Sequence, residues 1–215
     1  MSDSPRPNIG KDLKRIHRVI SRGLAVALEN CQAFAENGFP DDTTRDGFWK
    51  YCQGLEANAH GHHVTEDDVF FPYLRERLPD TDFDELMAEH EQMDGFLAEM
   101  RAAREAGSLA DLQRALSGMA DLWHPHIGKE EAEFSPEVAA EVMTVPEHIE
   151  MAQKAAAHSQ QHAQPAPLAV PFLLYNLEGE DRAHFLAVMP PEVTQQLVPI
   201  VWRDEWASMK PFLLD

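Results

Sequence analysis

Cysteine, positive charge and long apolar runs are all scarce in this chain of 215 residues. The two cysteines, Cys31 and Cys52, form no CxxC pair and read as small buried apolar residues. Lys and Arg number 18 against 37 Asp and Glu, a formal net charge of -19. A surface so acidic repels phosphate backbones, which excludes nucleic acid as an expected partner. No apolar run reaches the length of a membrane span, and the opening "MSDSPRPNIGK" has no apolar signal core. The expectation is a cytoplasmic protein with no membrane partner. At 44% hydrophobic and 26% charged, the composition is that of an ordinary globular domain, and the length allows one core plus an appendage.

What the chain has in excess is histidine, with 11 residues. Two stretches concentrate them, "HHVTEDDVFFP" and "HIGKEEAEFSP". Each reads as His, three residues, Glu, a second acid, then Phe and Pro.

Caps and breakers predict four long helices. The first spans about 10–37 and stops at "NGFPDD"; the second starts near 43 or 44 and runs to about 78, ahead of Pro79. The third opens at "TDFDE" and closes at Gly107, and the fourth opens at "SLAD" and ends near 143. Short connections favour antiparallel neighbours, hence an all-α, up-down-up-down four-helix bundle over 10–143. Residues 144–215 read as a C-terminal helical extension packed on that bundle. It comprises a fifth helix, a Pro/Ala linker and two or three short amphipathic helices.

Alternating steps of four and three test which residues face inward. The first helix gives Leu13, His17, Ile20, Leu24, Ala27, Cys31 and Phe34, apolar or small except at His17. The second gives Phe48, Cys52, Leu55, Ala59, His62, Glu66, Val69 and Tyr73. Its rival frame, through Gln53, Glu56, His60, His63 and Asp67, is mostly polar, which places His60 and His63 on the flank of the core. The third seam carries His90, and the fourth carries His126 and Glu130. A lone inward His is usually a hydrogen-bonded core residue. Two inward glutamates are harder to satisfy, because no Lys or Arg lies in any seam and an unpaired buried carboxylate costs several kcal/mol. A bound cation supplies the missing charge. His and Glu one turn apart share a helix face, so four imidazoles and two carboxylates suit two transition-metal ions with the carboxylates bridging.

These residues resemble the hemerythrin-like, or HHE cation-binding, domain over about 10–143. The likeness rests on His17, "HHVTEDDVFFP", "AEHEQMDGFL" and "HIGKEEAEFSP". It implies a four-helix bundle holding two non-haem iron ions, bridged by carboxylates and by oxo or hydroxo. It also implies traffic with oxygen, peroxide or nitric oxide, or a role in iron or redox sensing. Carried over by position, His17, His62, His90 and His126 are terminal ligands, and Glu66 and Glu130 are bridging ligands. Asp67 and Glu131 fall where the family often has another acid, outer-shell or solvated. One departure stands out. Oxygen carriers of the family have a His one turn after the third helix's His, where this chain has Asp94. Asp94 is a candidate ligand, hydrogen-bond partner or solvated acid, and fewer strong ligands favour turnover over reversible oxygen carriage. Pro125 and Gly61 stand beside His126 and His62 as sites for a kink or a looser turn.

His148, His158, His162 and His184 lie outside the seams. The pair His158 and His162 has a metal-compatible spacing, but no neighbouring Cys or acid in sequence, and reads as surface. The acidic tail lacks the basic face of a membrane binder. Capping the bundle, narrowing the route to the metals, and forming a homodimer surface are its alternatives. The functional expectation is a di-iron protein that binds or reduces a small oxidant, an oxidoreductase if it turns over. The rivals are a sensor or iron-binding module signalling through the tail, and a di-iron oxygenase acting on an organic substrate.

Overall fold

A computed structural model describes residues 7–214, all-α and without a strand among those residues. Four long segments build the bundle: α1 (Ile9–Asn37), α2 (Asp42–Thr65), α4 (Phe83–Ala106) and α5 (Leu109–Glu133). Each packs on two neighbours in a ring, α1 on α2 and α5, and α4 on α2 and α5. The expected all-α bundle is therefore borne out.

Side-chain caps fix the starts of all four. Asn8, Asp41, Asp82 and Ser108 accept from the backbone N–H of Lys11, Thr44, Glu85 and Asp111 respectively. Gly107 ends α4 in the left-handed region at φ 65°, which costs glycine no side-chain clash.

Two boundaries differ from the expected ones. The second long segment changes register after Thr65 and passes through a π-helical turn (Glu66–Phe70) into the short α3 (Phe71–Leu74). Here the Phe71 N–H reaches back five residues to the Glu66 carbonyl. Pro72 favours this widening, since it has no N–H to donate four residues back. The fourth helix ends at Glu133 rather than near 143. Ser135 caps a separate α6 (Pro136–Val142), with Pro136 at its first position. Pro125, a candidate site for a kink, is carried within a helix assigned without interruption from Leu109 to Glu133.

The tail runs through α7 (Val145–His162), α8 (Ala166–Tyr175), α9 (Gly179–Val188), a π-helical turn (Val193–Val201), α10 (Arg203–Trp206) and a 3-10 turn (Ala207–Phe212). α7, α8 and the 3-10 turn pack on α2. Phe172 of α8 is fully buried against Gly54 and Gly23, where an added Cβ would meet its ring at 2.9 Å and 2.6 Å. Gly61 likewise lies against the tail, with Ala163 Cβ 2.8 Å from the position a side chain would take. Leu168, Phe172, Trp206, Met209 and Phe212 join the apolar core of the bundle itself. A second, smaller apolar cluster of Phe71, Phe83, Leu86, Phe134 and Met151 fills the other end.

Candidate metal centre

Between these apolar clusters lies a polar layer. His17, His62, Glu66, His90, His126 and Glu130 converge there, each almost completely buried. α1 contributes His17, α2 and its π turn His62 and Glu66, α4 His90, and α5 His126 and Glu130. Trp123 covers one side, its ring edge-on to His17 at 5.5 Å and to His62 at 5.7 Å. Phe71 stacks on His90 from another.

The inner distances are short. His17 Nε2 stands 3.2 Å from Glu130 Oε2, and His62 Nε2 3.2 Å from Glu66 Oε2. His90 Nε2 lies 3.5 Å from Glu66 Oε2, and His126 Nε2 3.3 Å from Glu130 Oε1. The Nε2 atoms of His90 and His126 approach to 2.9 Å. Within the layer, His17, His62, Glu66 and Glu130 form one group able to hold an ion, and His90, His126 and Glu130 another. Glu130 belongs to both.

The outward ring nitrogens explain which way these imidazoles face. His17 Nδ1 meets Glu131 at 3.0 Å, His90 Nδ1 meets Asp67 at 2.8 Å, and His126 Nδ1 meets Glu89 at 2.9 Å. An ionised carboxylate only accepts, so each Nδ1 donates, and in the neutral ring that a metal requires the Nε2 lone pair then faces inward. Lys14 and Lys129 brace two of these acids from outside, at 3.6 Å from Glu131 and 2.6 Å from Glu89.

Charge is unbalanced within the layer. Burial, with Glu130 and Asp67 nearby, pushes the Glu66 carboxyl well above its usual range. Burial opposes ionisation of Glu130 too, yet the close imidazoles of His126, His17 and His90 hold it well below. His90 overcomes its burial through Asp67 and Glu130 and rises to about 9, and His17 is also raised against burial by Glu130 and Glu131. His62, buried beside His17 and His63, falls well below its ordinary value. Both oxygens of Glu66 and Glu130, and Nε2 of His17 and His62, are buried without a hydrogen-bond partner. Such a set fits a cation, whose ligand atoms, each about 2.1 Å from it, stand roughly 3.0–3.4 Å apart.

Asp94, the further candidate, lies outside both groups. Its Oδ1 is 3.5 Å from His60 Nδ1 and 3.8 Å from His63 Nδ1. His63 itself corrects the helical-phase reading: it is buried, not on the flank, and stacks on His90 with ring centres 4.5 Å apart. His63 is enclosed by His90 of α4 and by Trp123 and His126 of α5. Of the same frame, Glu56 is also buried and pairs with Arg104, while Gln53, His60 and Asp67 stay partly exposed. Burial holds the His63 pKa down at about 4. Glu89 was missed. It meets His126 only across the α4–α5 contact, so no periodicity within α4 marks it. His148 is structural: buried, it accepts the Ile9 N–H at 3.3 Å.

The chain belongs to the hemerythrin family: the model of the hemerythrin HHE cation-binding domain matches residues 8–138. The buried His and Glu groups fit the cation binding for which that domain is described. No curated protein and no solved structure was found to match the chain. No described helix is long and apolar enough to cross a membrane.

Proposed function

We propose that the chain holds two iron ions and uses them to bind or reduce a small oxidant. His17 and His62 would serve one ion, His90 and His126 the other, with Glu66 and Glu130 between them. The single observation that carries this reading is the arrangement of His90 and His126. Their Nε2 atoms face each other while both Nδ1 atoms are committed to carboxylates. Two inward lone pairs at 2.9 Å repel unless a cation or a shared proton lies between them. The shared position of Glu130 supports two ions rather than one.

Bound iron would supply electrons and a coordination position for oxygen, peroxide or nitric oxide. The protein's own residues do the rest. Asp67, Glu89 and Glu131 accept from the Nδ1 atoms and so orient the imidazoles with Nε2 toward the metal. Trp123, Phe71 and the flanking apolar clusters exclude bulk water. Six donors are too few to fill two iron coordination spheres, which leaves room for a small ligand. With Asp94 outside the cluster, this openness favours turnover over reversible carriage.

A sensor that reports through the tail is the second reading. The close seat of Ala163 on Gly61, one residue from His62, favours it. An organic substrate is less well served. The groove of about 440 Å³ beside Asp67 and Asp94 is lined chiefly by acids, including Asp84 and Glu91. Sustained consumption of peroxide or oxygen by the iron-loaded protein with a reductant supports the enzyme. Oxidation that stops after one equivalent and changes proteolysis of the tail supports the sensor.

A further inference from the structure

We propose that His158, His162, His60 and Asp68 form a second, outer site for a divalent transition cation that prefers imidazole, where α7 crosses α2 and its π turn. It is separate from the buried cluster and does not depend on what that cluster holds.

His158 and His162 stand one turn apart on α7, a spacing that lets two imidazoles reach one cation. Alone on an exposed face, that spacing means little. The fold adds the acid that the local sequence lacks. Asp68 Oδ2 lies 3.2 Å from His158 Nε2, and Thr65 Oγ1 lies 3.3 Å from His158 Nδ1. The His158 and His162 rings stand 4.5 Å apart, and the His60 ring 6.3 Å from that of His162. Imidazoles sharing one cation at about 2.1 Å have ring centres roughly 4.5–6.5 Å apart, and neighbouring ligand atoms about 3.0–3.4 Å apart. The ring separations and the His158–Asp68 contact fall in these ranges. No three of these donors stand within 4.8 Å of one another, and the His158 and His162 rings are stacked, so binding requires the half-exposed His162 and His60 side chains to rotate onto the ion.

The side chains have room to close on an ion. His60 and His162 line a solvent-open hollow of about 270 Å³ shared with Arg101 and Arg104, both of which face Glu56. Among the described residues, Asp68 has no Lys or Arg within ion-pair distance, so its charge is available. Three successive acids of the π turn thus serve three partners: Glu66 the buried cluster, Asp67 His90, and Asp68 His158. A cation at the outer site ties α7 to the turn that positions Glu66. Being exposed, the site binds more weakly than the buried cluster and fills when metal is in excess.

The test is equilibrium dialysis of tag-free, iron-loaded protein against Zn²⁺, with total metal and iron counted in each sample. The unmodified protein is expected to bind one more Zn²⁺ per chain than the H158A/H162A double variant. Asp68→Asn is expected to weaken that extra site at least tenfold. Substituting Co²⁺ gives a visible band whose loss in the double variant reports imidazole ligation. Far-UV circular dichroism checks that both variants keep their helices. Equal metal uptake by all three proteins overturns the outer site, whatever the iron content. One equivalent lost on substitution sustains it even if the buried cluster proves empty of iron.

Discussion

His90 and His126 turn their Nε2 atoms toward each other across 2.9 Å, and each hands its Nδ1 to a carboxylate on a neighbouring helical segment. Asp67 from the π turn and Glu89 from α4 thereby fix both rings in the orientation a cation needs. Such outer carboxylates typically contribute 10–100-fold to metal affinity. Asp67→Asn and Glu89→Gln are therefore each expected to weaken metal binding by about that factor, with helix content retained. Competition with a chelator of known affinity measures it, and unchanged affinity in both variants contradicts the orienting role.

His62 and His63 are adjacent and both buried, but only His62 belongs to the candidate groups. His62→Ala is expected to lose at least one metal per chain, and His63→Ala to keep both. Asp94→Asn should also keep both, since its carboxylate faces His60 and His63. Elemental analysis of the three variants decides. Metal lost from His63→Ala and kept in His62→Ala would reverse the assignment.

Removing the metal should cost stability and take up protons. Each ion held at 100 times its Kd adds about 2.7 kcal/mol. In a chain of this length 1 kcal/mol moves Tm by roughly 2–4 °C, so the metal-free protein should melt on the order of 10 °C lower. At pH 7.5, His90 at about 9 holds its protons in the metal-free state, and the upward shifts of His17 and Glu66 favour bound protons there too. Metal binding displaces them. Calorimetry in buffers of different ionisation enthalpy should show net proton release, and a binding heat independent of buffer would count against it.

Acid should loosen α7 before the bundle. Backbone and hydroxyl hydrogen bonds from Thr144, with a smaller contribution from Tyr73, hold Glu147 at about 2 instead of 4.5. A lowered carboxylate stabilises above its unfolded pKa and loses that contribution as pH falls through the folded one. The capping box of α7 should therefore weaken between pH 4.5 and about 2, and Glu147→Gln should remove that dependence. Amide exchange in α7 across this range provides the check.

The bundle and its inward residues were legible in sequence because each helix has one apolar stripe and one conspicuous His within it. Periodicity places His17, His62, His90 and His126 without knowledge of their neighbours. The same method misplaced His63, since it assumes that a helix has a wet side. α2 has almost none, being covered by α4 and α1 within the bundle and by α7 and α8 from the tail. Glu89 and Asp68 act across helix–helix contacts, through His126 and His158. Their partners depend on how helices pack, not on the period of any one helix. The π turn was likewise hidden, as Pro72 marks a break without saying that the register widens ahead of it.

Iron stoichiometry with optical spectra tests the di-iron proposal most directly. Protein produced with ample iron, with H158A/H162A to remove the outer histidines, is analysed for metal and examined anaerobically reduced and after air. Two iron ions per chain are expected, with near-ultraviolet absorption that appears on oxidation and does not reverse under vacuum. One metal or none per folded chain would contradict the two-ion centre, and oxygen released under vacuum would restore the carrier.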